Sequence, residues 1–275
     1  MYESIKPIPF SEATGTIKYN MLNDCMFHLV LQKNEYALKG LIAALLHMDP
    51  EQIISTEVQN PIHLGETISE KDFVLDVVVK FNDENVIDLE MQVEDLRNWV
   101  PRSLSYLCRE YLRLKHGQNY SELKGAYHVG FLDYTLFKDH PEFYSTYCLR
   151  NRKDGHIYTD KFVLSVVSLN QIELATDDDK EFAIDKWARA FKATTWEELK
   201  MITQNEPYID SAANSIYGNN LDPDILELCK KRQEEIDGEN YRIKRLEELE
   251  DENSVLTSEV DRLRSILAAN NIVAD

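Results

Sequence analysis

Asp76 and Glu90 are the residues of this chain whose types and spacing point most directly to chemistry. They lie in the stretch DFVLDVVVKFNDENVIDLEMQ, from Asp72 to Gln92, where two apolar runs flank a polar turn, the signature of a β-hairpin. Val, Phe, Leu and Ile favour strands, and Asn82, Asp83, Glu84 and Asn85 favour the turn. A turn centred on Asp83 sets Asp76 across from Glu90, with Cβ atoms roughly 5 Å apart on one face. Asp88 and Gln92 share that face by the period of two, while Phe73, Leu75, Val77 and Val79 take the other. Two facing carboxylates with no evident basic partner repel each other. A divalent cation removes that cost, and oxygen donors at this spacing suit magnesium. The backbone carbonyl of Met91 follows Glu90 and would point near the ion. Gln92 stands two residues after the glutamate; a neutral amide cannot take a proton, but it can orient a water or a phosphate oxygen. The competing reading is a hairpin with one wet face.

Several elements must position this pair. Asn20 or Asn23 can cap a helix reaching about His47, with Asn34 marking a kink or a break between two helices. Asp24 and His28 share one face of it, four residues apart. As residues alone they read as a first-turn acid favoured by the helix dipole and a half-buried or solvated histidine. Ile53 to Gln59 reads as a strand that Pro61 ends, with Glu57 facing water, and a polar crossing leads to Lys71 at the mouth of the hairpin. A helix from about Asn98 to His116 follows, ended by Gly117, with Leu104, Leu107, Tyr111 and Leu114 as its inward stripe. Arg102 and Tyr106 share a face of that helix; Arg102 can hold a phosphate, orient a carboxylate or be solvated. Ala126 to Leu132 and Phe162 to Leu169 read as further strands, and the aromatic stretch Phe137 to Tyr147 as packing over the sheet edge. This order predicts an α/β or α+β sandwich around a small central mixed sheet. From Asp177 the chain turns helical. The last helix, from near Pro223 to about Ala269, carries a heptad pattern with Leu246, Asn253, Val260 and Leu267 at a and Leu249, Leu256 and Leu263 at d. That pattern predicts homodimerisation through a coiled coil; the competing reading is a helix folded back on its own domain.

The chain has 275 residues and a formal net charge of -19, which argues against broad electrostatic binding to nucleic acid. The tail from Leu221 holds less than half of that excess, so a phosphate-rich substrate needs local basic groups and a metal. Cys25, Cys108, Cys148 and Cys229 are widely separated, with no zinc-like or disulfide spacing. With no signal peptide and no membrane-spanning apolar run in evidence, the expectation is a cytoplasmic protein without membrane contact.

In order along the chain, NDCMF (Asn23 to Phe27), LDVVV (Leu75 to Val79), DLEMQ (Asp88 to Gln92), Arg102 with Tyr106, and HGQNYSELKGAYHVGFLDYTLF (His116 to Phe137) resemble the PD-(D/E)XK nuclease superfamily. The likeness is to its branch of transposases and recombination-promoting (Rpn-like) nucleases, and it covers roughly Lys18 to Leu169. The resemblance implies a restriction-endonuclease-like α/β core and magnesium-dependent endonucleolytic hydrolysis of DNA, with manganese as a substitute. It implies recombination or mobile-element processes as the setting. It matches Asp76 and Glu90 to the metal-binding acidic pair, Gln92 to the position held by lysine in many members, and Asp24 to an acid on the first helix that approaches the metal. Arg102 and Tyr106 match the helix behind the site, and with Lys71 and His28 form the candidates for phosphate contact or support. His28 stands where many relatives carry lysine. The expected organisation is a lead-in (1–17), a nuclease-like domain (18–176), a helical extension packing on it (177–221) and a long helix with a coiled-coil segment (222–275), an addition the family does not require. The rival is a weak or inactive nuclease-fold protein acting as a dimeric interaction module.

Overall fold

The computed structural model describes residues 8–62, 76–82, 85–112, 119 and 124–269. Helix α1 (Asp24–Lys33) starts at Asn23, whose Oδ1 accepts from the Met26 N–H at 3.0 Å. Asn34 ends it and caps α2 (Glu35–Leu45), accepting from the Ala37 N–H at 2.9 Å. A side-chain cap of this kind stabilises a helix by about 1 kcal/mol. Asn34 also donates through Nδ2 to Ser211 and Ser215, so the break between the helices is tied to α7 (Pro207–Leu221).

Six strands form one sheet: β1 (Thr56–Val58), β2 (Val77–Phe81), β3 (Asn85–Gln92), β4 (Ala126–Leu132), β5 (Tyr144–Arg150) and β6 (Ile157–Ser168). The order is β1-β2-β3-β4-β6-β5. The β3/β4 and β4/β6 pairs are parallel and the other three antiparallel. The result is a mixed sheet flanked by helices, the restriction-endonuclease-like α/β arrangement. It is larger than the small sheet expected. Tyr144–Arg150 is an edge strand rather than a cover over the edge, and β1 is shorter than Ile53 to Gln59 because Pro50–Gln52 forms a 3-10 turn before it.

Helix α3 (Trp99–Tyr111) joins β3 to β4. Trp99 is buried over Gly130 of β4, where a Cβ would lie 2.0 Å from the indole. Only a residue without a side chain permits that approach, and it fixes the rotation of α3 on the sheet. The buried stripe is Trp99, Ser103, Leu107 and Glu110, whereas Leu104, expected inside, is 46% exposed. Leu114 and Gly117, like Phe73, Leu75, Asp83 and Glu84, lie outside the described residues.

After the acidic turn of α4 (Asp177–Glu181), helices α5 (Ile184–Lys192), α6 (Trp196–Ile202) and α7 complete the core with α1 and α2. Phe27, Phe131 and Phe191 pack edge to face at its centre. Helix α8 runs from Pro223 to Ala269. The chain divides into two compact units, Met1–Lys231 and Arg232–Asp275. The first takes in the start of α8, where Ile225 and Cys229 are buried in its core. Cys25, Cys108, Cys148 and Cys229 are free thiols. No helix among the described residues is long and apolar enough to cross a membrane.

Candidate active site

The hairpin register pairs Phe81 with Asn85 and Val77 with Leu89. One step further, Asp76 falls opposite Glu90, as the turn chemistry predicts, and Asn82 enters the turn at φ 36°. Asp76 is held at its backbone by Asn60, which donates through Nδ2 to the Asp76 carbonyl at 2.6 Å and accepts from the Val78 N–H at 3.0 Å. Asp76, Asp88, Glu90 and Gln92 are all buried on one face, beneath α3.

The two carboxylates do have basic partners, which corrects the expectation of an unpartnered pair. Arg102 Nη2 lies 2.6 Å from Glu90 Oε1. Arg109 Nη2 lies 3.9 Å from Asp76 Oδ2 and 3.8 Å from Asp88 Oδ2, and its Nε donates to Glu110 at 3.0 Å. Arg102, Tyr106 and Arg109 recur at i, i+4 and i+7, so one helical face presents all three. The Tyr106 ring lies between the guanidiniums, 5.3 Å from that of Arg102 and 4.5 Å from that of Arg109. From β4, His128 brings Nδ1 to 3.2 Å from Asp88 Oδ2 and Nε2 to 3.6 Å from Glu90 Oε2. The imidazole is fully buried against Trp99 and Tyr106.

Burial sets the electrostatics. The Asp76 carboxyl is pushed up to about 8, first by desolvation and then by Asp88 and Glu90, against the pull of Arg102 and Arg109. Glu90 is raised for the same leading reason, although Arg102 and His128 favour its charge. Among the described residues, no hydrogen-bond donor meets the buried oxygens Asp76 Oδ2, Asp88 Oδ1, Glu90 Oε2 and Gln92 Oε1. These hard oxygens fit a divalent cation by donor chemistry. Among the described residues no group of three or more His, Cys, Asp or Glu side chains is arranged as a metal cage; the guanidiniums supply the compensating charge.

The remaining candidates are placed as follows. The Gln92 carbonyl accepts from the Asp133 N–H at 3.1 Å, on the β4 side. Strand alternation therefore turns the Met91 carbonyl toward the β2 side, where Asp76 lies. Gln92 Nε2 donates to the Glu94 carbonyl at 3.0 Å. Asp24 sits half-buried in the first turn of α1, which packs on β2 and β3. His28, four residues on, is buried rather than half-buried or solvated. Glu57 is exposed, as expected. Lys71 lies outside the described residues.

Sequence reasoning missed Arg109, Glu110 and His128 and gave Asp88 no role. Arg109 was signalled by its i+7 spacing from Arg102. His128 was signalled as the one residue of the strand AYHVGFL that can carry charge near neutral pH.

No curated protein and no solved structure matches the chain. The family model described as PD-(D/E)XK nuclease family transposase matches residues 21–245, a span that contains the hairpin, α3 and the histidine strand. The chain with this buried, acid-lined hairpin belongs to the PD-(D/E)XK nuclease family transposases.

Proposed function

We propose that the chain is a metal-dependent endonuclease that hydrolyses DNA phosphodiester bonds, in recombination or mobile-element processes. The observation that carries this reading is the opposed pair Asp76 and Glu90, both buried, each with an oxygen that no hydrogen-bond donor among the described residues reaches. Magnesium, or manganese in its place, is the cofactor these donors suit, and Asp76, Glu90 and the Met91 carbonyl would hold it. A bound ion would supply Lewis-acid activation of water and stabilise charge on the phosphate. Arg102 and Arg109, each partly exposed, are placed to grip the non-bridging oxygens of a phosphodiester, with Tyr106 fixing the spread between them. Gln92, anchored through its Nε2, keeps Oε1 to accept from a water and orient it. Asp24 and His28 on α1 are the further acid and supporting residue that the family likeness implies, and His128 Nε2 stands 3.6 Å from the second oxygen of Glu90.

A second reading draws on the 2.6 Å contact between Arg102 and Glu90: an arginine seated on a carboxylate competes with a cation, as in a weak or inactive nuclease fold used for interaction. Purified protein incubated with DNA and RNA in magnesium or manganese separates the two. Metal-dependent DNA cleavage that falls at least about 100-fold in both Asp76→Ala and Glu90→Ala, with folding intact, is the expected result. Equal cleavage by wild type and variants would reject the hydrolytic reading.

The proposal extends to pairing of two copies through α8, where Leu246, Leu249, Leu256, Val260 and Leu263 are exposed at heptad spacing. Light scattering after removal of Leu246 to Asp275 is expected to show the monomer mass; an unchanged dimer mass would reject tail-mediated pairing. A reducing cytoplasm suits four free thiols.

A further inference from the structure

The acidity of the chain raises a problem for any polymer of phosphates: some surface must hold it against a net charge of -19. The β5–β6 hairpin is the part of the first unit built differently. Ala126 of β4 pairs with Phe162, and among the described residues the strand paired with residues 157 to 161 of β6 is β5, with Leu149 opposite Thr159 and Arg150 opposite Ile157. The two-stranded ribbon reaches roughly 20 Å past that pairing at the usual rise per residue.

Its tip is preformed. The Asn151 N–H donates to the His156 carbonyl at 2.8 Å and the Gly155 N–H to the Asn151 carbonyl at 2.9 Å. Gly155 takes φ 75°, a left-handed conformation suited to glycine. Asn151 and Asp154 spend their side-chain oxygens on the N–H groups of Lys153 and His156. This turn presents Arg152 and Lys153 outward, with Arg150 at its shoulder, all exposed. Among the described residues, none of the three has a carboxylate within ion-pair distance, whereas Lys39, Lys186, Arg189 and Lys192 of the same unit are each paired with an acid. Beside the cations, Tyr158 stands 83% exposed. At the ribbon's root, Tyr111 of α3 packs edge-on against Phe162 at 5.4 Å. Tyr111 follows Arg109 by two residues, so the arginine-bearing end of α3 and the root of the ribbon are neighbours.

We propose that the β5–β6 ribbon, through Arg150, Arg152, Lys153 and Tyr158, is an arm that binds the phosphate backbone of duplex DNA. This deepens the nuclease reading by naming the surface that holds its polymer. A two-stranded ribbon fits a groove of B-form DNA. Cations without acidic partners release counterions when they meet phosphates, and an exposed tyrosine adds an amphipathic contact at low entropic cost. The exposed Leu149 and Ile157 beside them admit other occupants, which the charge of the tip disfavours and the experiment includes.

The full chain is titrated into a labelled duplex of about three helical turns, without divalent metal, across a salt series. The wild type is compared with Arg152→Ala/Lys153→Ala, with Tyr158→Ala, and with Lys18→Ala/Lys33→Ala as a control for charge alone. The ribbon double variant is expected to bind about tenfold more weakly, with a log–log salt slope shallower by roughly 1.8. Tyr158→Ala weakens binding at unchanged slope, and the control changes neither. Absence of duplex binding by the wild type, binding indifferent to the ribbon variants, an equal loss in the control, or capture by anionic vesicles in place of duplex would each overturn the proposal. Ribbon-dependent binding without cleavage leaves the arm standing and removes the hydrolytic reading. Cleavage and binding that ignore the ribbon do the reverse.

Discussion

Arg102 meets Glu90 at 2.6 Å, and Arg262 meets Glu259 at 2.8 Å. The two contacts use the same chemical groups at nearly the same distance, yet the glutamates respond in opposite directions. Glu259, on the exposed surface of α8, is lowered by its arginine. Glu90, buried beneath α3, is raised because desolvation outweighs both Arg102 and His128. The lesson is that water, not the ion pair, sets the sign. A surface pair decorates a helix. A buried cluster of Asp76, Asp88 and Glu90 under two arginines is an arrangement with an electrostatic cost, and its place in a nuclease-family fold supplies a reason for that cost.

The largest expected effect comes from breaking the buried pair. Arg102→Ala leaves Glu90 without its close counter-charge and is expected to cost about 3 kcal/mol in urea unfolding at neutral pH, the low end for a buried pair because the guanidinium is partly exposed. A loss under about 1 kcal/mol would show that water already reaches Glu90. Next, taken per pH unit, is the pH dependence. Because the folded Asp76 holds its proton up to about 8, the folded chain binds more protons than the unfolded one between its ordinary carboxylate range and that value. In metal-free protein this group therefore lowers stability as pH rises through that window, by at most about 1.4 kcal/mol per pH unit. Asp76→Asn should flatten the decline in denaturation midpoints measured from pH 5 to pH 9; an identical decline in the variant would assign it elsewhere. The smallest effect belongs to the surface pair. Arg262→Ala should change the stability of the full chain by well under 1 kcal/mol, and the change should vanish in high salt. A loss as large as that of Arg102→Ala would erase the contrast.

Much of the scaffold was legible because local rules sufficed. The polar turn around Asp83 gave the register that opposes Asp76 and Glu90, and Asn23 and Asn34 marked helix starts that their side-chain bonds make real. Strand β5 was not legible, since an edge strand wet on both faces shows no alternation; Tyr144 to Arg150 contains no buried residue. Leu104 was placed inward on the rule that the apolar stripe faces the core. Here α3 turns its arginines to a charged cluster, a rotation fixed by Trp99 over Gly130, and no periodicity in the helix reveals it. His128 joins the site only through the parallel pairing of β3 with β4, a contact between distant segments that spacing along one strand does not encode.

The central claim, that Asp76 and Glu90 form a cradle for a divalent ion, is tested most directly by anomalous diffraction from crystals of the full chain grown with manganese. The account predicts a single strong anomalous peak bounded by the carboxylates of Asp76 and Glu90, with Arg102 withdrawn from Glu90. Saturating manganese with no peak there, and Arg102 still seated on Glu90, would contradict it.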